Sequence, residues 1–136
     1  MKLVFCVDER GGMAFNKRRV SRDREMISDL AEYIGDGTIL MEQYSEELFT
    51  DESLNSIISN SPALHADEDD FVFAELFDPA PFIESANEII IYKWNRRYPY
   101  ELSFNLSLED IGFKLKETKD FKGSSHEKIK REVYIK

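Results

Sequence analysis

The segment Glu88-Ile89-Ile90-Ile91-Tyr92-Lys93-Trp94 is the most hydrophobic in the chain and constrains the fold more than any other feature. Rich in β-branched and aromatic residues, it reads as a strand buried within a sheet. Residues 2–8 read the same way, ended by Asp8-Glu9-Arg10-Gly11-Gly12, and Thr38–Met41 and Phe71–Phe73 add two more short strands. A polar loop is expected from the glycines to Val20. Ser21 then reads as the N-cap of a helix reaching about Ile34, with Met26, Ile27, Leu30, Tyr33 and Ile34 as its apolar stripe and Gly35-Asp36-Gly37 as its stop. Ser45–Phe49 begins a second helix or turn, Leu54–Ile58 fits helix or strand, residues 59–70 read as a mobile polar segment, and Pro79–Ser85 is a short helix. Period-two alternation at Phe113 and Leu115, then at Ile129, Arg131, Val133 and Ile135, predicts a closing antiparallel strand pair. The expected architecture is a single α/β domain over residues 1–136, with a mixed, mainly parallel sheet and flanking helices.

Charge narrows the partners. With 27 acidic against 18 basic residues the net charge is −9, a field that repels phosphate backbones and anionic lipid. General nucleic-acid or membrane-surface binding is therefore not expected, and a protein partner of basic character is compatible. The lone Cys6 sits in an apolar strand, so no internal disulfide or cysteine zinc cage is expected and the thiol reads as inert. The five-residue apolar start is followed by Asp8 and Glu9, unlike a signal peptide, and no apolar run approaches a membrane span of ~20 residues. The expected location is cytoplasmic.

Three clusters are candidates for chemistry. In Asn16, Arg18, Arg19, Ser21, Asp23 and Arg24, guanidinium groups beside a helix N-terminus suit a carboxylate or phosphate ligand. In Lys93-Trp94-Asn95-Arg96-Arg97-Tyr98-Pro99-Tyr100, basic and aromatic residues interleave as they do where a ring is stacked. Convergence of the two arginine clusters on one cleft would make a single anion site. The third, Gly123-Ser124-Ser125-His126-Glu127-Lys128, reads as a structured turn with polar contacts rather than a nucleophilic centre, because neighbouring residues on an extended chain point to opposite sides. His126 is nevertheless available as a proton donor. His65 reads as exposed, and Asp67–Asp70 lacks calcium-loop spacing, so no metal site is expected.

Three segments together resemble dihydrofolate reductase. Val7-Asp8-Glu9-Arg10-Gly11-Gly12-Met13, followed by Val20-Ser21-Arg22-Asp23, takes the place of that family's first strand, glycine loop and entry to its first helix. Ile39-Leu40-Met41-Glu42-Gln43-Tyr44-Ser45-Glu46-Glu47 falls where the family's next strand ends in Met-Gly-Arg-x-Thr-Trp-Glu. Phe71 to Trp94 lies without a gap on its strand–diglycine–helix–strand unit. The resemblance implies that Asp23 stands where the family keeps the carboxylate that binds its pterin ring. It also exposes departures. The diglycine that admits the cofactor pyrophosphate is Ala74-Glu75-Leu76, and the Gly-Arg pair that grips the adenylate phosphate is Glu42-Gln43. The middle of the chain is also shorter than in the family, so NADPH is not expected as a cofactor. A wider pattern, Gly12-Met13-x-Phe15-Asn16-x-Arg18-Arg19-x-Ser21-x-Asp23 with Trp94-Asn95-Arg96-x-Tyr98-Pro99 and Ser124–Ile129, resembles a small bacterial family sometimes labelled ribonuclease Z. The residues do not support that label, since two isolated histidines cannot supply the His-x-His-x-Asp-His cluster of such metallo-hydrolases.

The expected function is binding of an anionic or nucleotide-like small molecule on a degenerate reductase-like scaffold. Its candidate residues are Asn16, Arg18, Arg19, Ser21 and Asp23, joined by Ser45, Tyr92, Trp94, Arg96 and His126. An acidic protein–protein interaction module, of immunity or regulatory type, is the alternative, and a residual reductase-like oxidoreductase the third.

Overall fold

A computed structural model describes residues 1–136. Ten strands form two sheets: β1 (Lys2–Val7), β2 (Gly12–Phe15), β3 (Arg18–Arg19), β4 (Thr38–Met41), β5 (Asn55–Ile58), β6 (Phe71–Phe73), β7 (Glu88–Trp94), β8 (Leu102–Ser103), β9 (Lys114–Phe121) and β10 (Ile129–Ile135). The main sheet has seven strands in the order β5-β4-β6-β1-β7-β10-β9. Strands β5, β4, β6, β1 and β7 are parallel, while β10 runs antiparallel to both β7 and β9. The mainly parallel sheet with an antiparallel C-terminal pair is therefore the observed architecture.

Alternation explains why the strand segments look continuously apolar. Leu3, Phe5 and Val7 of β1, with Ile89 and Ile91 of β7, enter one core against Ile83, Phe104, Leu108 and Phe113. Their neighbours Val4, Ile90, Tyr92 and Trp94 enter the other, against Met26, Ile27, Leu30 and Ile34 of helix α1 (Arg24–Ile34). Successive side chains of a strand point to opposite faces, so a strand covered on both sides is apolar at every position.

The α1 boundary differs from expectation. Its N-cap is Asp23, whose side chain accepts from the Glu25 and Met26 amides, whereas the Ser21 hydroxyl turns away to His126. The C-cap is Gly35 at φ 58°, in the left-handed region, and its amide bonds to the Ala31 carbonyl. The expected loop from Gly12 to Val20 is instead a hairpin, β2–β3, with β8 on its far side. Asn16 (φ 53°) and Lys17 (φ 58°) form its tip, and positive φ at two central residues marks the tight turn that matches strand twist. Leu54–Ile58 resolves into the edge strand β5, while Pro62–His65, inside the polar segment 59–70, is a short helix, α2. Residues 43–49 and 80–85 form 3-10 turns.

The crossovers create a cleft. The chain leaves β1 through α1 on one face of the sheet to reach β4, and leaves β6 through residues 80–85 on the other face to reach β7. Adjacent strands whose connections depart in opposite directions leave a crevice at their carboxyl ends, where ligands of open α/β sheets bind.

Candidate functional site

That crevice is lined by Cys6 near the end of β1, by Phe73 at the end of β6 with Ala74 and Glu75 after it, by Trp94 of β7, and by Met26 and Ile27 of α1. Met13, Arg19, Ser21, Arg22, Asp23 and Leu48 complete it. The crevice is narrow: the space it encloses is about 20 Å³, room for one water molecule. A second, wider groove of about 350 Å³ shares Arg22, Asp23, Ile27 and Leu48 with it and continues past Arg24, Ser124 and Ser125 to the acidic wall of Glu47, Asp51 and Glu52.

Asp23 organises the rear of the cleft. It is 1% exposed, and its carboxylate accepts six hydrogen bonds. Oδ1 takes the amides of Glu25 (2.9 Å), Met26 (3.2 Å) and Ser124 (2.9 Å). Oδ2 takes those of Ser125 (2.7 Å) and His126 (3.1 Å), and pairs with Nδ1 of the His126 ring (3.0 Å). Three successive amides of the turn 124–126 thus converge on one carboxylate, an anion nest filled by a side chain of the same chain. Burial acts to raise the Asp23 pKa, but the amides of Ser124, Ser125 and Met26 and the His126 ring outweigh it and hold the group at about 2. Gly123 lets the turn close, since a Cβ there would stand 2.3 Å from Asp23 Oδ2 and 2.7 Å from Ile129 Cδ1.

His126 is held on all sides. Its side chain is fully buried and stacks on Trp94 at 4.7 Å and 11°. Nε2 lies 3.2 Å from Ser21 Oγ and 3.0 Å from the Tyr98 hydroxyl. Trp94 Nε1 is buried without a hydrogen-bond partner. Cys6 is an ordinary thiol: burial first, then the charges of Glu75 and Asp23, push its pKa well up and keep it protonated.

Arg19 and Glu75 close the other side. Arg19 Nε donates to Glu75 Oε2 at 2.6 Å and Nη2 to Oε1 at 3.2 Å, a bidentate pair, while Nη1 pairs with Glu47. The guanidinium also lies 4.3 Å from the Tyr44 ring centre and donates to the Tyr44 carbonyl. Ser45, 1% exposed, donates to Glu75 Oε1 at 2.7 Å. Burial, and next the Glu75 charge, raise the Glu42 pKa, so two carboxylates lie near each other at this edge.

The remaining candidates lie elsewhere. Asn16 is at the exposed hairpin tip, and Arg18 and Arg96 are exposed and line none of the main cavities. Arg97 pairs with Glu9 on the surface. The two arginine clusters therefore do not share a cleft, because the bend after β7 is folded against residues 8–10 by the Tyr98 amide on Asp8 and the Glu9 amide on the Arg96 carbonyl. Tyr92 is fully buried between the sheet and α1, and its hydroxyl donates to Asp29 Oδ2 at 2.7 Å rather than lining the cleft. Asp29 also holds Lys119 and Arg131, so Tyr92→Phe leaves the carboxylate paired and is expected to cost about 1–2 kcal/mol in urea unfolding. A larger loss would show that the hydroxyl holds the network together. Arg22 and Tyr98 were not among the expected site residues. Arg22 had a signal in its position between Ser21 and Asp23; Tyr98 had one in its aromatic-basic segment.

No family model matches the chain, and no curated protein matches it. Among solved structures, it is similar to dihydrofolate reductase from Enterococcus faecalis, determined in complex with NADP(H) and RAB-propyl, at TM-score 0.67 and 11% identity over 98% of this chain and 94% of that one. At that identity the likeness is one of fold, and the fold of this chain is dihydrofolate reductase-like.

Proposed function

We propose that the protein binds a small anionic molecule with an apolar or aromatic body in the cleft at the carboxyl ends of β1, β6 and β7, and does so without NADPH. One observation carries the reading: an apolar floor of Met13, Met26, Ile27, Leu48, Phe73 and Trp94 is bordered by Arg22, an exposed residue that lines both this crevice and the adjoining groove and makes no ion pair. A concave pocket with a few polar groups is the usual form of a small-molecule site, and the adjoining groove of about 350 Å³, which shares Arg22, Ile27 and Leu48, supplies the room that the crevice lacks. Of the arginines expected to bind the ligand, Arg19 is instead neutralised by Glu75 and Glu47, and Arg18 is exposed outside the crevice.

The same loop argues against the dinucleotide. A pyrophosphate needs bare backbone amides, and here a Cβ at Ala74 and the carboxylate of Glu75 stand in that place with Glu42 nearby. Arg19 neutralises Glu75 but thereby has no donor fork to offer a phosphate.

Thermal unfolding in the presence of aromatic carboxylates, nucleoside monophosphates and NADPH tests the proposal. A ligand at 100 times its Kd adds about 2.7 kcal/mol, a rise of roughly 5–10 °C for a domain of this size. Such a shift is expected from an anionic aromatic compound, lost in Arg22→Ala, and absent with NADPH. Stabilisation by NADPH overturns the cofactor reading, and no shift across the panel overturns the anion site.

A further inference from the structure

We propose that Ser21 is a nucleophile, with His126 as its base and Asp23 as the group that orients His126, and that the cleft hydrolyses small activated esters. The proposal rests on the reading above in that the cleft must admit a small molecule, but it assigns chemistry that binding does not require.

Three contacts carry it. Asp23 Oδ2 lies 3.0 Å from His126 Nδ1, and the other contacts of that carboxylate are all amide donors, so the proton of the neutral ring belongs on Nδ1. Nε2 is left with its lone pair, 3.2 Å from Ser21 Oγ. Stacking on Trp94 and complete burial hold the ring in that orientation. Of Ser21 and His126, Ser21 is the one that lines the cleft and is half-exposed, so the hydroxyl faces the cavity while its base lies behind it. A nucleophile within reach of a base that is itself oriented by a third group defines this kind of site regardless of chain order.

Tyr98 gives the arrangement a second, testable feature. Its hydroxyl is 3.0 Å from the same Nε2, with its ring edge-on to the imidazole at 87°. Two hydroxyls thus share one lone pair, and removing the Tyr98 hydroxyl leaves the nitrogen wholly to Ser21. Arg22, on the cleft wall beside Ser21, supplies positive charge for the developing oxyanion.

The reaction balances without a redox partner. Ser21 Oγ attacks the acyl carbon as its proton passes to His126 Nε2. The tetrahedral intermediate collapses, the carbon–oxygen bond to the alcohol breaks, and the alcohol leaves with that proton. Water then attacks the acyl-serine, giving up a proton to Nε2. The acid is released and the proton returns to Ser21. The apolar crevice beside Ser21, about 20 Å³, suits only the smallest acyl group, an acetyl, with the alcohol part lying in the adjoining groove.

The intact protein is treated with a fluorophosphonate probe, and adducts are located by peptide mass. A single adduct on Ser21 is expected, absent in Ser21→Ala, at least tenfold slower to form in His126→Gln, and severalfold faster in Tyr98→Phe. Because His126→Gln removes a buried ring and can unfold the chain, Ser21→Cys is the second variant. Its introduced thiol is expected to react with iodoacetamide at neutral pH at least tenfold faster than glutathione. An adduct elsewhere, or an unlabelled Ser21 with an ordinary rate for the introduced thiol, overturns the proposal. Labelling of Ser21 in a protein that no anion stabilises retains the nucleophile and removes the anion site. A stabilising anion with an inert Ser21 does the reverse.

Discussion

Replacing Asp23 with alanine is expected to lower folding stability by about 4–5 kcal/mol, near the top of the range for single substitutions. The substitution removes the cap of α1, worth about 1 kcal/mol. It also leaves the amides of Ser124, Ser125 and His126 and the His126 ring without their acceptor; water can reach the exposed Ser124 and Ser125, whereas the two buried donors of His126 cost about 1–3 kcal/mol each. Against a typical total of about 5–15 kcal/mol, that is about a third or more of the folding free energy. Urea unfolding measures the loss, and a loss below about 1.5 kcal/mol would show that water replaces the carboxylate. The pH dependence has a definite sign. The Asp23 pKa falls from 3.8 unfolded to about 2 folded, so this contribution is complete above about pH 4 and is lost as the pH drops towards 2. It amounts to roughly 2 kcal/mol, and the corresponding slope is expected to be missing from Asp23→Asn.

Arg19→Ala is expected to cost about 3–4 kcal/mol, because it leaves Glu75, whose side chain is 9% exposed, charged and without its cation. The double variant Arg19→Met/Glu75→Leu is expected to recover most of that loss, since removing both charges also removes the cost of burying either. By contrast, Arg97→Ala, which breaks an ion pair with side chains 70% and 45% exposed, is expected to change stability by less than about 1 kcal/mol. A double-mutant cycle in urea separates the outcomes. Additive losses for Arg19 and Glu75 would mean that the bidentate pair contributes nothing of its own.

The strands were legible wherever both faces are covered, as in 2–7, 71–73 and 88–94, because burial on two sides writes itself into every position. The hairpin β2–β3 escaped because its tip, Asn16-Lys17, lacks the glycine that usually signals such a turn, and its partner strands are four and two residues long. At the site, Arg19, Ser21, Asp23 and His126 were each recognisable as polar residues in suggestive surroundings. Their partners were not. Asp23 meets His126 across 103 positions and Arg19 meets Glu75 across 56, and such pairings follow from strand order rather than from local pattern. Glu75 thus read only as a replacement in the diglycine, when its carboxylate, with that of Glu47, occupies Arg19. Ser21 read as a helix cap because the true cap, Asp23, lies only two residues on and serves helix and turn together.

The span between Asp23 and the turn that encloses it has a consequence for how the molecule is made. Residues 124–126 sit between β9 and β10, and β10 docks on β7, itself laid down late in the chain. On a ribosome, α1 and the parallel strands emerge first, with Asp23 able to cap the helix but still without the turn amides, roughly a hundred residues away, that complete its hydrogen bonds. The catalytic candidate Ser21 consequently has no base beside it during synthesis. The nascent chain is chemically silent at that position until its last hairpin closes, so reactivity of Ser21 reports the completion of folding rather than the presence of the residue.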